Sequence, residues 1–181
     1  MVCYTKQDAE KSLSGFEKFT APALKFALNA KIILPTERHD SDLATALDQC
    51  AGIDGIIVNA DDWAFSYSSR VQFGKNFETF TIRRSRPSGA TTEADKLFHA
   101  WRIQAPMPTY HVQTFISENE QSAVVAVAPT VDLLKFVGKH SDQWRATRDG
   151  ETFYFIPFND LENVKIYHVD ATGHVEKKNA A

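Results

Sequence analysis

Two neighbouring segments of the chain alternate polar and apolar residues, and this alternation limits what the chain can fold into. Tyr67–Phe73 and Phe77–Arg83 both repeat with a period of two, the spacing of side chains on the two faces of a β-strand. Gly74-Lys75-Asn76 between them predicts a turn. The preceding run, Gly52–Asn59, stays apolar after Asp54 and therefore predicts a buried central strand. The chain is thus predicted to build a sheet around residues 52–83.

A helix is predicted directly after these strands. Thr92-Glu93-Ala94-Asp95 resembles a capping box with aspartate in place of glutamate, which places a helix start at Thr92. Helical spacing also predicts helices over Gln7–Ala30, where Pro22 either kinks or splits the helix, and over Ser41–Cys50. The other predicted elements are a short helix over Val131–Val137 and strands over Ile32–Leu34, Tyr110–Ile116, Ala123–Ala128, Trp144–Thr147, Thr152–Pro157 and Val164–Val169.

The order of these elements defines the predicted fold class. It is an α/β fold with a single domain, in which helices flank a mixed central sheet and additional strands follow toward the C-terminus. The chain has 181 residues, of which 43% are hydrophobic, so one domain can form a core without disulfides or a structural metal. We expect this domain to cover residues 1–175 and residues 176–181 to form a disordered tail.

The cysteines and the apolar runs bear on where the protein works. Cys3 and Cys50 form neither a CxxC pair nor a zinc-ligand spacing and are predicted to be reduced thiols. No apolar run approaches the ~20 residues that span a bilayer. Charged residues interrupt the N-terminal segment where the apolar part of a signal peptide would lie. The sequence therefore predicts a cytoplasmic protein without a membrane partner.

Positive charge is concentrated in one part of the chain. The formal net charge is −3, which argues against a protein that coats nucleic acid by bulk attraction. Residues 68–102, however, contain seven basic and three acidic side chains, while the segments on both sides are acidic. This local excess is either a patch that steers a polyanion or a solvated row of arginines without a ligand.

Asp54 is the strongest candidate for a cation ligand. An ionised carboxylate in an apolar strand is costly unless it is paired or bound to a cation. Gly52 and Gly55 beside it leave room for close approach. The alternative is an aspartate at a strand edge that caps a neighbouring turn.

Polar residues on the next two strands provide candidate phosphate and metal contacts. Arg70 and Gln72 share one face of a strand that is predicted to pair with the strand of Asp54. A glutamine can offer a carbonyl oxygen to a metal, and an arginine can bind a phosphate through two parallel hydrogen bonds. Thr81 and Arg83 are predicted to continue this face on the following strand. The alternative is a solvated strand face.

Charged residues on the predicted helices complete the candidates. Glu93 and Lys96 are three residues apart and share a side of their helix, either as a surface ion pair or as a metal ligand and a phosphate contact. Glu10 and Glu17, seven residues apart on the first helix, are each a surface charge or a further metal ligand. HxH, HExxH, GxSxG, Walker and GxGxxG motifs are absent, so serine-hydrolase, P-loop and Rossmann interpretations lose their usual support.

Several of these residues together resemble a known family. Gly52-Ile53-Asp54, the strand of Arg70-Val71-Gln72 and the helix of Glu93 and Lys96 resemble the core of the PD-(D/E)XK, or restriction-endonuclease-like, nuclease superfamily. The segment from Phe80 to Lys96 is also similar to phage and mobile-element proteins of that general type. The resemblance covers roughly residues 7–128 and implies a core with the order α-β-β-β-α-β.

The resemblance implies a hydrolase, namely a Mg²⁺- or Mn²⁺-dependent deoxyribonuclease. The superfamily's Glu-x-Lys reads Arg70-Val71-Gln72 here, so Lys96 or Lys75 would replace the missing lysine. The resemblance also implies that Asp54 is the metal-binding aspartate and that Glu17 or Glu10 assists it. Together with the residues considered above, the predicted metal ligands are Asp54, Gln72 and an acid such as Glu17 or Glu93. The predicted catalytic residues are Asp54, Gln72 and Lys96, and the predicted nucleic-acid-binding residues are Arg70, Lys75, Arg83, Arg84 and Arg86.

Two other functions compete with this one. The altered Glu-x-Lys favours a catalytically inactive protein of the same fold that binds nucleic acid or a host protein. A module that binds only proteins is the third hypothesis. A homodimer is compatible with each of the three.

Overall fold

The computed structural model describes residues 6–36, 41–147 and 149–178, which form five α-helices and ten β-strands. Cys3 therefore lies outside the described residues. The helices are α1 (Lys6–Gly15), α2 (Ala21–Leu28), α3 (Asp42–Ala46), α4 (Glu93–Ile103) and α5 (Thr130–Lys139). The strands are β1 (Ala30–Pro35), β2 (Gly55–Asn59), β3 (Ala64–Phe73), β4 (Thr79–Ser85), β5 (Tyr110–Ile116), β6 (Ser122–Pro129), β7 (Trp144–Ala146), β8 (Thr152–Pro157), β9 (Lys165–Asp170) and β10 (Val175–Lys177).

The strands form two sheets. The larger sheet has seven strands in the order β1-β2-β3-β5-β6-β9-β10, and the smaller has three in the order β4-β8-β7. All neighbouring strands are antiparallel except β3 and β5, which run parallel with Arg70 opposite Gln113. The predicted class, an α/β domain with a mixed sheet and flanking helices, is confirmed at this level.

Each face of the seven-stranded sheet covers its own apolar core. On one face, Phe19 and Leu24 of the N-terminal helices pack against Ile57 and Val125. On the other face, the three-stranded sheet and helices α4 and α5 enclose a second core around Phe80, Leu97 and Leu133. Alternation along β6 serves both cores, since Val125 faces the first and Ala126 the second. The domain therefore has three layers, with the large sheet in the middle.

Local sequence signals explain where several helices begin. A π-helical stretch, Phe16–Thr20, joins α1 to α2, so the chain is helical without interruption from α1 into α2. Pro22 is the second residue of α2. Proline has no backbone N–H to donate, and the wider turns before it accommodate that loss. At α4, Thr92 and Asp95 form both hydrogen bonds of a capping box. Ser41 caps α3 by accepting from the backbone N–H of Ala44.

The structure corrects two expectations about strands. β4 was predicted to lie beside β3, but it pairs with β8 in the smaller sheet, and Thr81 is buried between the two sheets rather than solvated. Glu176 and Lys177, assigned to a disordered tail, instead form part of β10 and pair with β9. Over the described ranges, no helix combines the length and apolar character that crossing a bilayer requires.

Candidate functional site

A polar cavity lies beside β3 at the point where its neighbour β2 begins. The cavity has a volume of about 350 Å³. β2 pairs with β3 only as far as the Gly55–Tyr67 pair, so the next residues of β3 have no strand partner on that side. Helix α1 contributes Ser12 and Leu13 to the wall. Four of the residues predicted from the sequence line this inner cavity: Asp54, Arg70, Gln72 and Arg83.

Asp54 replaces the missing strand partner. Its Oδ2 accepts hydrogen bonds from the Ser69 backbone N–H at 2.6 Å and from the Ser68 hydroxyl at 3.1 Å. The carboxylate therefore occupies the position where a carbonyl oxygen of β2 would lie if the strand continued. This arrangement is the strand-edge cap considered for Asp54, and it also turns the carboxyl group toward the cavity.

The protonation of Asp54 is shifted toward neutral pH. Burial raises the pKa of its carboxyl to about 7, and the nearby negative charge of Glu93 acts in the same direction. The hydrogen bonds from Ser69 and Ser68 oppose the shift but do not cancel it. A carboxyl with this pKa changes its charge close to physiological pH, which is a common property of functional groups in clefts.

Arg70 and Arg83 contact the same aromatic ring although they come from different sheets. Their guanidinium carbons lie 5.1 and 5.3 Å from the centre of the Phe153 ring. Burial and the positive charge of Arg70 lower the pKa of Arg83. Arg83 Nε lies 3.3 Å from a carboxylate oxygen of Glu151. Arg70 donates to the Thr81 hydroxyl at 2.9 Å, which links β3 to β4.

Glu93 is the charge partner of Arg70. Its Oε2 lies 3.9 Å from Arg70 and accepts from the Arg83 backbone N–H at 3.3 Å. Its Oε1 lies 3.1 Å from His111 Nε2, and His111 Nδ1 lies 3.0 Å from the Thr130 hydroxyl. Burial alone would raise the pKa of Glu93, but the His111 hydrogen bond and the Arg70 charge outweigh it and lower the pKa to about 2. Glu93 is therefore ionised and held by three groups.

Gln113 connects the two sides of this network. Its side chain is almost completely buried, with 1% exposure. Its amide nitrogen donates to Gln72 Oε1 at 3.0 Å, and its amide oxygen accepts from the Thr81 hydroxyl at 3.3 Å. Because a buried amide needs its hydrogen bonds, these contacts fix the position of Gln72 in the cavity wall.

The predicted divalent cation fits only part of this arrangement. Asp54 Oδ1 has no hydrogen-bond donor among the described residues, and a cation there would relieve the cost of a buried charge. Gln72 Oε1 and both oxygens of Glu93 are already occupied. Within the part of the chain that the structure describes, no three Asp, Glu, His or Cys side chains form a metal-binding group. Asp54 is thus the one carboxylate here that could hold Mg²⁺, with phosphate and water as the remaining ligands.

The other predicted site residues lie outside the cavity wall. Lys96 Nζ donates to the carbonyl oxygen of Asp48 at 2.8 Å. Glu17 is exposed on the helical segment between α1 and α2. Lys75 lies 5.7 Å from the ring of Phe77, in the turn after β3. The structure therefore does not bring Lys96, Glu17 or Lys75 to Asp54.

Two further predicted arginines lie nearby but outside the cavity. Arg84 lies 4.6 Å from the Trp144 ring, on the outer side of β4. Arg86 lies 4.0 Å from Glu151 and lines a second depression. Ser12 and Arg83 line both this depression and the inner cavity, so the two are adjacent.

Sequence reasoning missed several members of the network. His111 and Gln113 are two polar residues at alternate positions of the buried strand β5. Alternation places both on one face, so this spacing was a signal that they belong together. Glu151 had no such signal, because its contact with Arg83 depends on the pairing of β4 with β8.

The comparisons with known proteins add no family. The chain matches no protein-family model, no curated protein and no solved structure.

Proposed function

We propose that the protein binds DNA and that a backbone phosphate enters the inner cavity between Arg70 and Arg83. The observation that carries this proposal is the convergence of both guanidinium groups on one cavity from two different sheets. Two adjacent arginines repel each other, and a phosphate between them would relieve that repulsion through charge-assisted hydrogen bonds.

The surroundings of the cavity support a chain-like ligand. The adjacent depression shares Arg83 with the cavity and is lined by the further cations Lys11 and Arg86, together with the acids Asp8, Asp149 and Glu151. A backbone whose phosphate sits at Arg83 would meet these two cations next. Glu151 already contacts Arg83 and Arg86. A phosphate bound there would take the place of the Glu151 carboxylate and would offer the arginines a similar pair of oxygens.

Cleavage of the bound DNA is a second candidate function, and Asp54 favours it. Its Oδ1 accepts from no donor among the described residues, which makes it a candidate ligand for Mg²⁺ or Mn²⁺. Because burial raises the pKa of this carboxyl to about 7, the ion would compete with a proton for it. When bound, such an ion would supply an activated water and screen charge on the phosphorus. Arg70 and Arg83 would orient the phosphate. β2, β3, β4, α4 and β5 follow one another in the order of the later part of a restriction-endonuclease-like core. However, β1 and α3 come between the N-terminal helices and β2, and β4 pairs in the smaller sheet.

The test of binding uses titration of a labelled DNA duplex at several salt concentrations. Arg83→Gln should weaken binding by a factor between about 10 and 150, since a charged hydrogen-bonded contact contributes about 1.5–3 kcal/mol. Arg145→Gln is a matched control, because Arg145 also lies over an aromatic ring, that of Phe155, but does not line the cavity. Glu151→Gln should strengthen binding by removing the competing carboxylate. Equal affinities of wild type and Arg83→Gln would contradict the proposal.

The test of cleavage uses plasmid DNA with Mg²⁺ or Mn²⁺. Asp54→Asn should abolish cleavage while binding through Arg83 persists. Binding without cleavage by the wild type would leave DNA binding as the function and reject the second candidate.

A further inference from the structure

Helix α4 presents a second basic surface on its outer side, which we call the α4 outer surface. It contains Arg84, Lys96, Phe98, Trp101 and Arg102, which line one shallow depression. Trp101 is 46% exposed and Phe98 36% exposed. Trp144, which is 42% exposed, adjoins this surface through its contact with Arg84. Large aromatic side chains are thus accessible next to several cations.

The cations of this surface have no carboxylate partners among the described residues. Arg84 lies over the ring of Trp144, and Lys96 donates to a backbone carbonyl. Arg102 lies 3.4 Å from the ring nitrogen of His99. A patch of this composition is complementary to an anion.

The acidic residue that lines this surface is already occupied. Asp95 Oδ2 accepts from the Thr92 backbone N–H at 2.9 Å and from the Thr92 hydroxyl at 2.8 Å. Because the carboxylate serves as part of the helix cap, it does not reach across to neutralise Lys96 or Arg102.

We propose that the α4 outer surface binds single-stranded nucleic acid. Unpaired bases would stack on Trp101 and Trp144, while Arg84, Lys96 and Arg102 contact phosphates. Exposed aromatic rings between cations are the combination that single-strand-binding surfaces use, because every base offers a face for stacking. A duplex keeps its bases stacked on one another, so it would use the cations and leave the rings without partners. The surface shares no lining residue with the inner cavity, so this inference does not depend on the proposed function.

The experiment measures fluorescence anisotropy of a short labelled oligothymidylate titrated with the full chain. Trp101→Ala should weaken binding at least about fivefold, the effect expected when one stacked base loses its ring. Trp101→Phe should restore most of the affinity. Trp63→Ala is the matched control, because Trp63 is 68% exposed but lies in the turn after β2, beside Asp61 and Asp62. Far-ultraviolet circular dichroism would show that each variant is folded.

The salt dependence of binding tests the phosphate contacts. Arg102→Gln should reduce the slope of log affinity against log salt by about 0.7, the value for one phosphate of a single strand. Three results would overturn the proposal. The first is that the chain does not bind the oligothymidylate. The second is that binding is lost in Arg83→Gln but not in Trp101→Ala. The third is that the chain binds no oligothymidylate and instead self-associates in a way that Trp101→Ala abolishes.

Discussion

In the inner cavity Arg70 and Arg83 each lie close to a carboxylate, whereas the cations of the α4 outer surface contact rings, a carbonyl and a histidine instead. The cavity network is largely shielded from water, so every charge in it needs a partner. The outer surface is solvated, and water satisfies cations that no carboxylate reaches. Substitutions in the cavity should therefore change stability strongly, while substitutions outside should change ligand binding and leave stability nearly intact. Four measurements of the free energy of unfolding test this difference.

Asp54→Asn should give the largest effect, and its size should depend on pH. The folded-state pKa of Asp54 is about 7 against an ordinary 3.8, so its contribution to stability is fully present below pH 4 and is lost as pH rises through 7. The variant lacks this ionisation and should be more stable than wild type above pH 7, by at most about 4 kcal/mol at 1.36 kcal/mol per pKa unit. Urea unfolding from pH 4 to pH 9 measures the difference. Trp101→Ala is the control and should show the same dependence of unfolding free energy on pH as the wild type. If Asp54→Asn also showed the wild-type dependence, the effect of burial on Asp54 would be contradicted.

Glu93→Ala should have the next largest effect and should be destabilising. The substitution leaves His111 Nε2 without its hydrogen-bond partner and Arg70 without its ion-pair partner in a shielded position. Removing one partner of such a network costs about 3 kcal/mol. Glu93 itself stays ionised from pH 5 to pH 8, because its pKa is about 2. Its removal also lowers the pKa of Asp54, so the cost should become smaller as the pH rises through 7. If Glu93→Ala lowered the free energy of unfolding by less than about 0.5 kcal/mol, the ordinary value for a surface substitution, the cavity network would be no more sensitive to substitution than the outer surface.

Thr92→Ala should have an intermediate effect that links the two regions. It removes the capping box of α4 and should destabilise the protein by about 1 kcal/mol. Asp95 loses the hydrogen bond from the Thr92 hydroxyl but keeps the one from the backbone N–H of residue 92, so its carboxylate is held less firmly beside the cations of the outer surface. We therefore expect weaker binding of oligothymidylate together with the stability loss. If the folded variant bound oligothymidylate with unchanged affinity, the hydrogen bond between the Thr92 hydroxyl and Asp95 would have no role in binding.

Lys96→Ala should have the smallest effect on stability. Lys96 donates one hydrogen bond from an accessible position, to the carbonyl oxygen of Asp48. Removal of such a contact changes the free energy of unfolding by about 0.5 kcal/mol or less. Thermal unfolding alongside Glu93→Ala compares two charged residues three positions apart on one helix. Similar losses for the two variants would remove the distinction between the regions.

Sequence patterns predicted the local elements well because their causes are local. The cap at Thr92 depends on residues within one helical turn, and the strand at Tyr67–Phe73 depends on alternation within a few residues. The pairing of β2 with β3 was also predicted, and it is confirmed. The partner of β4 was not, because alternation shows which residues share a face but not which strand lies beside them. β4 pairs with β8, which is far away in the sequence.

The candidate site was predictable to the same extent. Asp54, Arg70 and Gln72 are near one another because β2 and β3 pair, and local patterns imply that pairing. Arg83 was expected at the site for a reason that is wrong. It reaches the cavity from the second sheet rather than from a strand next to β3. Lys96 was expected there because it is three residues from Glu93, but that spacing turns it about 60° around the helix, and its side chain extends to Asp48 instead.

The parallel pairing of β3 with β5 has a consequence for how the molecule is made. Arg70 and Gln113 become neighbours only after the intervening β4 and α4 have folded back across the sheet. Such long-range pairing forms slowly, because the entropy of closing the loop is lost before the contacts compensate for it. A newly synthesised chain with only its hairpins in place therefore lacks the Gln113 hydrogen bond that fixes Gln72 in the cavity wall. A ligand of the cavity would bind best to molecules that have completed the crossover.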